Sequence, residues 1–130
     1  MNMKHIRSIL QSYEEIELGY LFGSQAKGTA TNTSDVDIGI VLQRGTSYTY
    51  KDRVDLALEI EDVVNKEVDL KILNDAHPRF LNQVLTYGKL IYKKNERART
   101  QFETSTRRQY LDRKHHIEQR NNIVKKQLTQ

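Results

Sequence analysis

Gly23-Ser24-Gln25-Ala26-Lys27-Gly28-Thr29-Ala30-Thr31-Asn32-Thr33-Ser34-Asp35-Val36-Asp37 is the stretch around which this chain is organised. An apolar run, Leu18 to Phe22, leads into its Gly-Ser turn, and Ile38-Gly39-Ile40-Val41-Leu42 continues from its Asp-x-Asp pair. Both flanks read as strands. In a strand, residues two apart share a face, so Asp35 and Asp37 project side by side while Val36, Ile38, Ile40 and Leu42 turn into the core. Neighbouring carboxylates repel each other unless a cation or a shared proton relieves them. Hard oxygen donors on a rigid strand suit Mg²⁺, which completes its shell with water and substrate phosphates. The Gly-Ser turn can present backbone N–H groups and the Ser24 hydroxyl to those phosphates. One stretch thus offers both halves of a metal–triphosphate site.

The spacing is also a signature. Gly23-Ser24, ten intervening residues, then Asp35-x-Asp37 resembles the G-S-x10-D-x-D motif of the DNA polymerase β-like nucleotidyltransferase superfamily. The short length is similar to its minimal members, the MNT-domain proteins. The resemblance runs over roughly residues 15–92 when Asp69 is taken as the family's third carboxylate. Positions 25 and 27, often Arg in variants of the motif, are Gln25 and Lys27 here. Lys27 therefore remains a phosphate-contact candidate and Gln25 a poor one.

Outward from this stretch, the periodicities outline a small domain. Ile6, Ile9, Leu10 and Tyr13 follow the i, i+3, i+4, i+7 rule of a short amphipathic helix. Thr49 with Asp52 resembles a capping box opening a helix over about residues 50–65. Its buried side is expected at Val54, Ala57, Leu58 and Val64, flanked by Ile60 and Val63. Residues 67–73 alternate as a third strand, with Val68, Leu70 and Ile72 inward and Asp69 and Lys71 on the opposite face. Pro78 suits the first position of a further helix and Gly88 its end. Leu90-Ile91-Tyr92 reads as a short fourth strand. Gly39, on the face of the two aspartates, would leave room there or mark a bend. The expected fold is α/β (α+β): a small mixed sheet with helices on one face, followed by a C-terminal helical extension. Residues 1–92 would form the minimal nucleotidyltransferase domain and residues 93–130 the basic extension.

Charge divides the chain at the same place. Residues 1–92 hold 10 Lys and Arg against 13 Asp and Glu, whereas residues 93–130 hold 11 against 4. The overall +4 therefore resides in the extension. Phe102, Tyr110, Ile117, Val124 and Leu128 form a narrow apolar stripe there. Too thin for a core, it needs the domain, a second copy or a partner to pack on. Few aromatics interleave with the basic residues, which argues against base stacking and direct nucleic-acid binding. There is no cysteine, hence no disulfide framework and no thiolate metal site. No apolar run reaches signal-peptide or transmembrane length, so a cytoplasmic protein without membrane contact is expected. His5, His77, His115 and His116 make no metal constellation. Adjacent His115 and His116 on a helix diverge by about a quarter turn. Arg108 and His115 on a basic helix are read as a chance pair, not as a ribonuclease site.

The family resemblance implies in-line attack on the α-phosphorus of ATP with release of pyrophosphate. Asp35 and Asp37 would hold two Mg²⁺ ions about 4 Å apart, which stabilise both ends of the displacement. Asp69 would ligate one ion and accept the attacking hydroxyl's proton, directly or through water. Gly23 and Ser24 would position the β- and γ-phosphates, with Lys27 and Lys71 as candidates for neutralising their charge. MNT proteins are typically the antitoxins of HEPN–MNT pairs. The resemblance thus implies transfer of AMP to a tyrosine hydroxyl of a cognate HEPN ribonuclease toxin, in a hetero-oligomer. Two alternatives stand beside it: transfer to a small hydroxylated molecule of the aminoglycoside kind, and a toxin-binding antitoxin without catalysis.

Overall fold

A computed structural model describes residues 3–23, 28 and 35–128, with side chains as far as residue 123. Among these residues the chain forms α1 (Met3–Gln11), β1 (Ile16–Phe22), β2 (Val36–Leu42), α2 (Tyr50–Val64), β3 (Val68–Ile72), α3 (Pro78–Tyr87), β4 (Lys89–Lys93) and α4 (Glu96–Leu128). The strands make one mixed sheet in the order β3-β2-β1-β4. β1 runs antiparallel to both β2 and β4, and β2 runs parallel to β3. A parallel pair needs a crossover of a dozen or more residues, and α2 supplies it.

Local chemistry sets the limits of α2. Thr49 Oγ1 accepts from the Asp52 amide at 3.1 Å, and Asp52 Oδ2 accepts from the Thr49 amide at 2.9 Å. The expected capping box is therefore present, with Asp in place of Glu. Asn65 ends the helix in the left-handed conformation (φ 55°), its amide donating to the Glu61 carbonyl. The Glu61 side chain then accepts from the Val68 amide at 2.9 Å and fixes the start of β3. The buried stripe of α2 is Leu56, Ile60 and Val64. Leu58 is 52% exposed, so the expected stripe was rotated by part of a turn. Regular i, i+4 spacing from Leu56 to Val64 places those three on one line.

α3 begins as expected at Pro78, and His77 is its N-cap, with Nδ1 accepting from the Arg79 amide at 3.1 Å. Gly88 closes α3, but with φ −80°. Glycine is needed there for space: a Cβ would lie 2.4 Å from the Val84 carbonyl oxygen.

Alternation along the strands sorts the core onto two faces. Leu21, Ile38 and Ile40 join Ile6 and Leu10 of α1 and Leu56 and Ile60 of α2. Leu18, Tyr20 and Val41 join Leu81 and Val84 of α3 and Ala98 of α4. Helices thus cover both faces of the sheet. The expectation of helices on one face is corrected by the apolar stripe of α3 and the first turns of α4, which need their own side of the sheet to bury against. Tyr20 donates to Glu103 at 3.1 Å and its ring lies 6.0 Å from that of Phe102, tying α4 down. Burial, then the nearby Glu103 carboxylate, holds the Tyr20 phenol well above its ordinary pKa, so it remains a donor. Beyond Tyr110 the described side chains of α4 are exposed, among them Leu111, Ile117 and Ile123. Val124 and Leu128 of the expected stripe lie outside the described side chains.

Candidate functional site

The sheet register places the candidate residues. Asp37 on β2 is paired with Phe22 on β1 and with Asp69 on β3. Cross-strand partners share a face, so Phe22, Asp37 and Asp69 form one row across three strands spaced about 4.8 Å apart. Asp35 immediately precedes β2 and is exposed; Asp37 is half-buried and Asp69 exposed. The face is the one carrying α3 and α4, but those helices lie over β1 and β4. The β2–β3 end of the row is left accessible.

Charge accumulates at Asp37. Its carboxyl is held above the usual carboxylate range, first by burial, then by Asp69 and Asp35, with Lys71 acting in the opposite direction. Asp69 and Asp35 thus both lie within electrostatic reach of Asp37. Lys71 Nζ stands 3.7 Å from Asp69 Oδ2, both groups about half exposed (46% and 54%). Such an exposed pair is weak, about 0–1 kcal/mol, and can be exchanged for a stronger partner.

Gly23 completes this corner. Its φ is +72°, a conformation that favours glycine. A Cβ there would lie 2.2 Å from Asp37 Oδ2. The backbone at Gly23 therefore lies directly against the Asp37 carboxylate. Ser24 and Lys27, the other expected phosphate contacts, lie outside the described residues. Gly39 leaves no open space on this face, because the Leu73 side chain fills it, at 2.8–2.9 Å from where a Cβ would stand.

Among the described residues no three His, Cys, Asp or Glu side chains converge closely enough to hold an ion as they stand. The donor chemistry nevertheless suits a hard divalent cation. The row supplies carboxylate oxygens, and the unfavourable charge at Asp37 is what such an ion relieves.

Two features escaped the sequence reading. Asn74 clamps β2: its Nδ2 donates to the Leu42 carbonyl and its Oδ1 accepts from the Leu42 amide, both at 2.8 Å. Nothing in the spacing announces a side chain that imitates a strand. An aromatic notch also adjoins Gly23, where Phe22 and Phe80 meet edge-on with centroids 5.5 Å apart. The apolar periods at Phe22 and Phe80 were visible, but their meeting depends on how α3 crosses β1.

Residues 4–97 match the family model described as "Polymerase beta, Nucleotidyltransferase". A candidate protein adenylyltransferase of Methanocaldococcus jannaschii is 38% identical over 65 residues, covering 50% of this chain and 68% of the relative. Protein adenylyltransferase MntA of Shewanella oneidensis is 30% identical over 89 residues, covering 68% of this chain and 63% of the relative. The chain thus spans about two thirds of these curated relatives. Among solved structures, a chain of a toxin–antitoxin complex with AMP-PNP superposes with a TM-score of 0.76 at 27% identity, over 97% of this chain and 98% of that one. A mutant MntA–HpeT toxin–antitoxin complex gives 0.77 at 25% identity over the same shares. These likenesses run past residue 97 and along α4.

Proposed function

The chain belongs to the polymerase beta nucleotidyltransferase family, and from that premise we propose that it is an antitoxin that transfers AMP from ATP to a tyrosine hydroxyl of a cognate HEPN ribonuclease toxin. The observation that carries the chemistry is the Asp37–Asp69 cross-strand pair with Gly23 against it. The partner is supported by the MNT resemblance and by relatives that are protein adenylyltransferases or chains of toxin–antitoxin complexes.

In this reading the acceptor oxygen bonds to the α-phosphorus of ATP, the bond from that phosphorus to the bridging oxygen of the β-phosphate breaks, and pyrophosphate leaves. Asp35, Asp37 and Asp69 are the residues that would hold Mg²⁺, two ions in all. Bound Mg²⁺ supplies neutralising charge to the phosphoryl oxygens and the leaving group. Asp69, exposed at the open end of the row, takes the acceptor's proton directly or through one water. The Gly23–Ser24 turn would orient the β- and γ-phosphates through backbone N–H groups, and at position 23 only a glycine fits beside Asp37. Lys71 is drawn either to Asp69 or to phosphate, and Lys27 is assigned to phosphate. AMP on the tyrosine adds bulk and negative charge to the toxin.

Residues 1–92 act as the catalytic domain and residues 93–130 as an extension that serves docking. The described residues contain no helix long and apolar enough to cross a membrane. The cysteine-free composition is compatible with a reducing cytoplasm, where we place the reaction.

Co-expression with a HEPN protein encoded beside this chain tests the proposal. The mass spectrum of the HEPN protein should show one or more added AMP units on tyrosine. An unmodified HEPN protein that is nonetheless neutralised would establish inhibition by contact alone.

A further inference from the structure

We propose that the acceptor protein docks on the outer edge of β3, as an extended, acid-bearing segment that adds a fifth strand to the sheet and brings its tyrosine beside Asp69; this rests on the AMP-transfer reading. β3 and β4 are the two edges of the sheet. A strand edge is a row of backbone donors and acceptors, a template for another strand. On β4 the row is interrupted by α1, whose Arg7 donates through Nε to the Ile91 carbonyl at 2.9 Å. β3 borders the acidic row itself, because Asp69 is its outermost member.

Hydrogen bonding fixes which groups of β3 face outward. The Val36 amide donates to the Glu67 carbonyl at 2.9 Å, and the Leu73 amide to the Ile40 carbonyl at 2.8 Å. In the parallel ladder that sets Asp37 opposite Asp69, residues 67, 69, 71 and 73 therefore direct their backbone groups at β2, and residues 68, 70 and 72 direct theirs away. The Val68 amide obeys this rule and is taken by Glu61 Oε1 at 2.9 Å. The Leu70 amide and carbonyl and the Ile72 amide are left to an incoming strand. Such a strand lies about 4.8 Å beyond β3, and its residue opposite Asp69 shares the Asp69 face. A tyrosine at that position extends the row Phe22, Asp37, Asp69 by one member, next to the group that takes its proton.

Two cavities straddle the edge and can receive side chains of the segment. One, of about 350 Å³, lies against α2 and includes Tyr50, Arg53, Asp69 and Lys71 in its lining. The other, of about 290 Å³, is lined by Arg53, Lys71, Ile72, Ala76 and Phe80. In strand addition the main chain gives affinity and pockets of this kind give specificity. Arg53 is common to both. Lys71 is engaged with Asp69 at 3.7 Å, whereas Arg53 is exposed and makes no ion pair among the described residues. Its guanidinium stands 5.7 Å from the centre of the Tyr50 ring. Stacking there leaves the donors along the guanidinium edge for a carboxylate, the partner that this planar fork fits. The segment accordingly carries an acidic residue on the Lys71 side of its tyrosine.

Amide hydrogen exchange followed by NMR tests the edge, on the full chain alone and bound to the HEPN protein encoded beside it, without ATP. The Leu70 and Ile72 amides should slow by about tenfold or more on binding, as unpaired edge groups become bonded. The Asp69 and Lys71 amides, already bonded to β2, should change little. Unchanged exchange at Leu70 and Ile72, as for an acceptor docked as a helix, would overturn the added strand. Transfer kinetics test the acid. Arg53 is exposed, so Arg53→Glu should fold. It should raise the KM for the HEPN protein by about tenfold or more, through like charges brought together, with kcat and ATP affinity as in the wild type. Arg53→Lys should recover most of that loss. A wild-type KM in Arg53→Glu would overturn the acid-bearing segment. A wild-type chain that transfers no AMP to the HEPN protein would instead remove the transfer reading, and the proposal with it.

Discussion

Gly23 and Asp37 are fitted so closely that a single methyl group cannot stand between them: a Cβ on residue 23 would lie 2.2 Å from Asp37 Oδ2. The backbone at Gly23 is also left-handed. Gly23→Ala should therefore cost about 1–2 kcal/mol from the backbone conformation, and should displace the Asp37 carboxylate besides. We expect AMP transfer to fall by roughly two orders of magnitude, the scale that misplacing a reacting group by about 1 Å carries. Thermal melting beside a transfer assay checks this. A variant as active as the wild type would show that the turn does not position the site.

Asp37 makes stability fall as pH rises. Its carboxyl titrates above its ordinary value in the folded chain, so the folded state holds more protons than the unfolded state between the two pKa values. Stability declines through that window and remains lower at neutral pH. Asp37→Asn should accordingly raise Tm at neutral pH, and the gain should shrink in acid. Mg²⁺ should raise the Tm of the wild type and do little for the variant. Equal Mg²⁺ stabilisation of both proteins would take Asp37 out of the ion site.

Asn74 should matter to stability more than an exposed loop residue ordinarily does. Its amide makes two hydrogen bonds to the Leu42 backbone, continuing the pairing of β2 past the end of β3. Asn74→Ala should destabilise the fold by about 1–3 kcal/mol, the cost of leaving backbone groups unpaired. Asn74→Asp loses the donor and should fall between. Urea denaturation measures both.

The two halves of α4 should separate cleanly on truncation. Ala98 and Phe102 pack on the sheet and Thr106 is buried, whereas Leu111, Ile117 and Ile123 are exposed. A chain ending at Tyr110 should keep its Tm and its ATP affinity yet lose affinity for the HEPN partner. A chain ending at Tyr92 would in addition uncover the core beneath the first turns of α4, costing on the order of 3 kcal/mol from Phe102 and its neighbours. Pull-down and melting together distinguish these outcomes. Unchanged partner binding by the shorter deletion would show that the exposed half is no docking surface.

Much of this arrangement is legible from local pattern. The inward turn of Val36, Ile38, Ile40 and Leu42 along β2, the Thr49–Asp52 box and Pro78 before an apolar stripe each depend on near neighbours in the chain, and each appears as read. The pairing of Asp69 with Asp37 could be anticipated only through family resemblance, because register between β2 and β3 depends on the crossover. What local pattern missed is tertiary. Leu73 over Gly39, Asn74 on Leu42 and Phe80 on Phe22 all join residues more than thirty positions apart, or depend on how α3 crosses the sheet. The rotation of the α2 stripe has the same origin: Leu58 and Leu56 are alike as residues, and only the sheet decides which is covered.

The most direct measurement is the rate at which label from α-labelled ATP, with Mg²⁺, appears on the HEPN partner when Asp35 and Asp37 are both replaced by Asn. Our account predicts that labelling falls to background while the double variant stays folded and keeps its partner. Labelling at the wild-type rate would contradict it.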